Sequence, residues 1–327
     1  MNNRRGFLWS SAGTVAASAF SARAQTSKRL PVVGMLGHAY TGSTGGDAFV
    51  AGLRELGWVE GRTVTIERRH DEGNFARMPV LVAELVKLAP DVIVAVSSRE
   101  AVMLRKLTNK IPIVIAIATD PIGIGLIESY RRPGGNVTGL AWDQEPGVTA
   151  KYVEFLKDMI PKLRRLGCLI DPSQNGIAVY RGHLEAACAQ LGVSALHREI
   201  RTIEEIGPAV EALASQDVQA MFCYGSNLTF SQLPKITAFA AKFRLPDMYI
   251  YAMAVRQGGL MSYGPDTMDM HRRAADYVHR ILRGASPAEL PMALPTRYEF
   301  AINRATANRL GLKFPPPLLA LADIVIE

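Results

Sequence analysis

Residues Ile111–Asp143 read IPIVIAIATDPIGIGLIESYRRPGGNVTGLAWD, and the rest of the fold can be worked out from them. Ile111 to Ala118 is an apolar, β-branched run, which suits a strand buried on both faces. Thr119-Asp120-Pro121 stops it. A short amphipathic, helix-like segment follows, ended by Arg131-Arg132-Pro133-Gly134-Gly135. Asn136 to Trp142 is a second strand-like run. Buried parallel strands need helical crossovers, and open α/β sheets bind ligands outside the carboxyl ends of their strands. Asp120 is at such an end, and Trp142-Asp143 are at the next, where the chain is expected to leave its first domain.

The flanking chain keeps the same alternation. Upstream, strands are expected at Leu30–Gly37, Arg62–Arg69 and Asp91–Val96, with helices at Gly45–Leu56, Phe75–Leu88 and Glu100–Leu107. Arg62–Arg69 alternates polar and apolar side chains and reads as an edge strand. Downstream, helices at Thr149–Met159, Ile177–Gln190, Ile203–Ala214 and Gln232–Phe243 separate strands at Arg165–Ile170, Val193–His197, Ala220–Tyr224, Met248–Tyr251 and Gly259–Ser262. Tyr263-Gly264-Pro265-Asp266 reads as a break before a helix at Met268–Leu282. Pro287, Pro291 and Pro295 mark a linker before a strand at Arg297–Ile302 and a helix at Arg304–Leu310. Two successive βα sets in 327 residues imply an α/β protein of two Rossmann-like, doubly wound lobes. Breaks near 140, 264 and 296 make a three-crossing hinge. The expected lobes are 31–140 plus 265–296, and 141–264 plus 297–327.

The N-terminus carries an address. Asn3-Arg4-Arg5-Gly6-Phe7-Leu8 has the twin-arginine pattern, an uncharged stretch follows, and Ala22-Arg23-Ala24 is an A-x-A cleavage site. Residues 1–24 read as a Tat-type signal peptide cleaved near Ala24, so the mature chain is expected in the periplasm with no membrane insertion. The net charge of +7 includes three arginines of that segment; without them 34 basic face 30 acidic side chains, a mild balance with no nucleic-acid footprint. The cysteines, Cys168, Cys188 and Cys223, sit in apolar strand or helix patterns and read as buried free thiols. Six scattered histidines show no metal-ligand spacing, and no cofactor fingerprint follows the first strand.

Strand ends supply the candidate binding residues. Asp120 would accept from a solute N–H or O–H, or cap the following helix; both readings stand. Ser97 and Ser98 would donate to a solute oxygen or cap their own helix. Arg99 beside them is a candidate carboxylate grip or a solvated cation. Tyr40, after the first strand, would stack on a planar solute or merely cover the sheet. Trp142, Tyr224, Tyr249, Tyr251 and Tyr263 lie near strand ends or crossings; Trp142, Tyr251 and Tyr263 are the ones assigned to the cleft.

The chain resembles the ABC-transporter substrate-binding proteins of the tryptophan/tyrosine-binding type. The likeness rests on Gly52-Leu53-Arg54-Glu55-Leu56-Gly57-Trp58-Val59-Glu60-Gly61, Asp91-Val92-Ile93-Val94, Asp120-Pro121-Ile122-Gly123 and Arg132-Pro133-Gly134-Gly135-Asn136-Val137-Thr138-Gly139. Gly258-Gly259-Leu260-Met261-Ser262-Tyr263-Gly264 and Leu318-Leu319-Ala320-Leu321-Ala322-Asp323 complete it. The resemblance implies a class I periplasmic-binding-protein fold, a small-molecule ligand held between the lobes, an ABC permease as partner and no catalysis. It also implies an acidic residue before an asparagine after the second lobe's third strand. Here the segment is Gly225-Ser226-Asn227-Leu228-Thr229, with Asn227 in place of the acid. Ser226 and Asn227 thus join the candidate ligand contacts, and the preference moves toward an aromatic or carboxylate-bearing solute over a free amino acid. A periplasmic enzyme is a weaker alternative, since no G-x-S-x-G elbow or Cys/His metal set is present. A ligand sensor for a receptor kinase would have the same lobes and stays open.

Overall fold

The computed structural model of the chain describes residues 29–37, 44–72, 74–142 and 146–327. The expected signal peptide, residues 1–24, and His38, Tyr40 and Asp143 lie outside these residues. The first unit runs β1 (Val32–Gly37), α1 (Thr44–Glu55), β2 (Thr65–His70), α2 (Met78–Lys87), β3 (Val92–Ser97), α3 (Ser98–Leu107), β4 (Ile113–Ala118) and β5 (Val137–Ala141). Its sheet has the order β2-β1-β3-β4-β5, parallel throughout, with β2 at the edge as its alternation requires. β3 and β4 are apolar on both faces because helices cover both. Leu36, Ile93, Ile113 and Ile115 pack with α2 and α3 residues such as Leu81, Leu85 and Leu104. Val33, Val94 and Val114 share a core with Phe49 and Leu53 of α1.

The second unit runs α4 (Pro146–Met159), β6 (Arg165–Ile170), α5 (Ile177–Gln190), β7 (Ser194–Glu199), α6 (Ile206–Ala214), β8 (Ala220–Cys223), α7 (Asn227–Ser231), α8 (Leu233–Lys242), β9 (Asp247–Tyr249), α9 (Ala252–Arg256) and β10 (Met261–Pro265). Next come α10 (Thr267–Leu282), β11 (Tyr298–Asn303), α11 (Arg304–Leu310), α12 (Pro316–Leu321) and β12 (Ile324–Ile326). The sheet order is β12-β11-β10-β9-β8-β6-β7. Within it, β7-β6-β8-β9-β10 repeats the 2-1-3-4-5 order of the first sheet.

α10 leaves the second unit and returns to the first, where it packs beside α1 and over β3, β4 and β5. Gly52 permits this approach: a Cβ there would stand 2.8 Å from the Arg272 carbonyl oxygen. Trp58 of the following turn donates its Nε1–H to His279 Nδ1 at 3.0 Å, pinning the far end of α10.

Three sequence expectations change. The segment after Asp120 is a series of turns, not an amphipathic helix, and Gly125 takes a left-handed φ of +71° within it. Asp120 therefore caps a turn, its Oδ1 accepting from Gly123 N at 3.1 Å, and Arg131 and Arg132 close no helix. The expected break at Tyr263–Asp266 lies mostly within β10, which pairs antiparallel with β11. Two of the crossings are thus one hydrogen-bonded ribbon. Finally, α7, α9 and β12 are short elements whose patterns are too brief to announce themselves.

Candidate functional site

The carboxyl ends of β4, β6, β8 and β9 converge on one cleft. In this arrangement it is narrow, a cavity of about 30 Å³ partly open to solvent, lined by Ile117, Thr119, Trp142, Gln174, Tyr180, Tyr224, Gly225, Ile250 and Tyr251. Ile117 and Thr119 come from the first sheet. Gln174 and Tyr180 follow β6, Tyr224 and Gly225 follow β8, and Ile250 and Tyr251 follow β9. Its walls mix aromatic rings with polar groups, the Thr119 hydroxyl and the Gln174 amide among them, a lining that suits an aromatic molecule carrying polar substituents.

Trp142 joins the two sides. Its backbone N–H donates to the Ala118 carbonyl at 2.5 Å, fixing it to the end of β4. Its own carbonyl accepts from the Tyr180 hydroxyl of α5 at 3.3 Å. Its ring meets Tyr251 edge-on, centroids 5.4 Å apart, and Tyr251 in turn meets Phe230 at 4.8 Å. The indole is 4% exposed and its Nε1–H finds no acceptor among the described residues. Gly264 brings β10 close: a Cβ there would collide with the Ile250 carbonyl oxygen. On the other side, Gly176 before α5 sits against Asp120, with a Cβ at Gly176 only 3.2 Å from Asp120 Cβ. The two walls touch, so the cleft is in a closed arrangement.

The sequence candidates divide by place. Trp142 and Tyr251 line the cleft together. Asp120 adjoins lining Thr119, with φ +48°, a backbone region where Asp is tolerated better than most residues. Ser98 is buried and its hydroxyl is committed: it donates to Thr119 O at 3.0 Å and accepts from Thr119 N at 2.8 Å. Ser97 caps α3 in a reciprocal arrangement with Glu100. The Arg99 guanidinium lies over the Phe75 ring, 3.7 Å from its centroid. Ser226 caps α7, accepting from Thr229 N at 3.1 Å. Asn227 follows it, and its Nδ2 is buried without an acceptor among the described residues. Tyr263 points into a separate cluster, stacked on Tyr298 at 5.7 Å and edge-on to Phe155 at 5.4 Å.

Gln174 and Tyr180 were missed by sequence reasoning. The strand-end rule, applied to β6 as it was to β3 and β4, would have found them. Tyr224 was noticed, but its partner was not: its hydroxyl meets His197 Nε2 at 3.3 Å. Burial first, then the Arg181 charge, lowers the His197 pKa, with Glu185 opposing. Burial raises the Tyr251 and Tyr224 phenols well above their ordinary range, so both are neutral hydrogen-bonding groups. Among the described residues no cluster of three His, Cys, Asp or Glu could hold a metal ion, and no helix is long and apolar enough to cross a membrane.

Comparison with known proteins fits this geometry. A "Tyrosine-binding protein" of Clostridioides difficile (strain R20291) is 23% identical over 265 residues, covering 81% of this chain and 76% of the relative. The structure of an ABC domain in complex with L-Trp from Streptococcus pneumonia superposes with a TM-score of 0.83 at 26% identity, covering 91% of this chain and all of the other. A ligand-free, open substrate binding protein with adhesive properties from Clostridium difficile shares the fold at a TM-score of 0.69 and 21% identity, over 91% of this chain and 99% of the other. The two-unit architecture is that of class I periplasmic binding proteins, and the family model described as ABC transporter substrate binding protein matches residues 40–326. The chain belongs to the ABC transporter substrate binding protein family.

Proposed function

We propose that this chain is the periplasmic solute-binding component of an ABC importer, taking an aromatic or carboxylate-bearing organic solute, amino-acid-like ones among them, and delivering it to the permease. The lobes are residues 31–140 with 265–296 and residues 141–264 with 297–327, and they hinge at Trp142 and at the β10–β11 ribbon. The observation that carries the reading is the aromatic cleft itself. Trp142, Tyr180, Tyr224 and Tyr251 gather at strand ends from both sides of a crossing. The L-Trp complex of the similar Streptococcus protein supports an indole-sized occupant.

The action follows from the contacts. Solute meets one wall, the Tyr180–Trp142 and Asp120–Gly176 contacts form as the walls meet, and water is excluded. The closed form is then the one a permease would distinguish from the open form, by population shift. No bond-making chemistry is required of any residue. Mass spectrometry of the solute co-purified with the chain, with a thermal-shift screen, tests the reading. L-tryptophan or indole-3-acetate raises the melting temperature; stabilisation confined to sugars refutes it.

A further inference from the structure

Tyr224 lines the cleft, and beneath it runs a polar relay that leads out to solvent. His197, on edge strand β7, approaches the Tyr224 hydroxyl through Nε2 at 3.3 Å, and its side chain is 8% exposed. Its other nitrogen, Nδ1, faces Glu185 Oε1 of α5 at 3.6 Å. That carboxylate is held by Arg181 Nε at 2.8 Å. The remaining titratable neighbours are the neutral thiols Cys168 of β6, paired in register with His197, and Cys188 of α5, whose pKa burial raises to about 11. Glu199 on the same strand adds a more distant negative charge near Arg181.

A carboxylate on the Nδ1 side favours the proton there, which leaves a lone pair on Nε2. The Tyr224 O–H then donates to Nε2, and the phenol oxygen keeps only acceptor capacity. We propose that His197 is a positioning residue that sets the hydrogen-bond polarity of Tyr224, making the cleft tyrosine an acceptor for an N–H or O–H of the solute. It rests on the reading of the cleft as the solute site. When His197 is protonated its Nε2–H donates to the phenol oxygen, the hydroxyl hydrogen turns free, and the acceptor is occupied. Solutes that present a donor to Tyr224 are therefore bound more weakly in acid.

Two measurements test it on the mature chain. Long-range ¹⁵N–¹H correlation spectra, with His197→Gln for assignment, report the tautomer without any solute. The expected result is Nδ1–H at pH 7.5; an Nε2–H imidazole overturns the proposal. Calorimetry with L-tryptophan and indole-3-acetate, both of which carry N–H donors, reports the consequence. Tyr224→Phe should weaken binding about five- to tenfold at pH 7.5. His197→Gln, which can accept from Tyr224 but does not titrate, should keep the affinity at pH 7.5 and abolish its fall toward pH 5. Affinity unaltered in Tyr224→Phe overturns the proposal while leaving the cleft reading intact. Absence of binding by both solutes to the unaltered chain overturns the cleft reading, and this inference with it.

Discussion

Replacing the buried carboxyl of Asp247 by an amide should remove a pH dependence from the stability of the chain. Asp247 opens β9, the strand that ends at the cleft residues Ile250 and Tyr251. It accepts from the Tyr249 hydroxyl at 2.6 Å and from Leu260 N at 2.6 Å, and it is 2% exposed. Burial outweighs these hydrogen bonds and raises its pKa from 3.8 to about 6. The folded chain therefore keeps a proton that the unfolded chain releases. The stabilisation is fully present below about pH 4 and is lost as pH rises through about 6. A tenfold change in proton affinity is worth about 1.4 kcal/mol, so a rise of this size is worth about 3 kcal/mol. In Asp247→Asn the amide oxygen can accept from Leu260 N while the amide N–H₂ donates to the Tyr249 oxygen, and nothing titrates. Urea unfolding of both proteins at pH 4.5, 5.5, 6.5 and 7.5 isolates the site, because other groups cancel in the difference. The advantage of the unaltered chain over Asp247→Asn should shrink by roughly 2 kcal/mol across this range, since the full amount, about 3 kcal/mol, is present only below about pH 4. A difference that stays flat, or grows with pH, refutes the reasoning.

Tyr180→Phe removes the hydroxyl that bridges to the Trp142 carbonyl, a bond worth about 0.5–1.5 kcal/mol. The solute-free chain should become measurably more open, and an unchanged radius of gyration in X-ray scattering counts against the latch. Ser98→Ala strips the partner from both backbone groups of Thr119 and should lower unfolding free energy by about 1–3 kcal/mol, read by denaturant titration. Gly52→Ala would ordinarily favour a helix by about 1 kcal/mol. Here the added Cβ meets the Arg272 carbonyl, so thermal unfolding should show net destabilisation; a rise in melting temperature would mean α10 shifts freely.

Much of the architecture was legible because burial writes itself into composition. A strand covered on both faces must be apolar throughout, as Ile113–Ala118 is, while edge strand β2 alternates. Such patterns repeat in order, and parallel pairing with helical crossovers is what they permit. Strand-end logic also reached Trp142 and Tyr251. It could not tell which strand-end tyrosine turns toward the cleft. Tyr251 does, while Tyr263, on the crossing ribbon, turns into a cluster with Tyr298 and Phe155. Nor could it tell capping from contact at Ser98, since the same hydroxyl serves either, and only the position of Thr119 decides.

The succession of elements is written locally, because helix and strand periodicities are local and each residue's polarity answers to its own face. Which distant side chains meet is settled by the folded arrangement alone. His197 and Tyr224 are 27 residues apart, and Trp142 joins Tyr180 and Tyr251 from three separate segments. Such contacts depend on register between strands, on the close approach at glycines such as Gly52 and Gly264, and on the crossing of the chain between its two sheets. None of these leaves a periodic trace in the sequence, because each is fixed by the packing of surfaces that are remote along the chain.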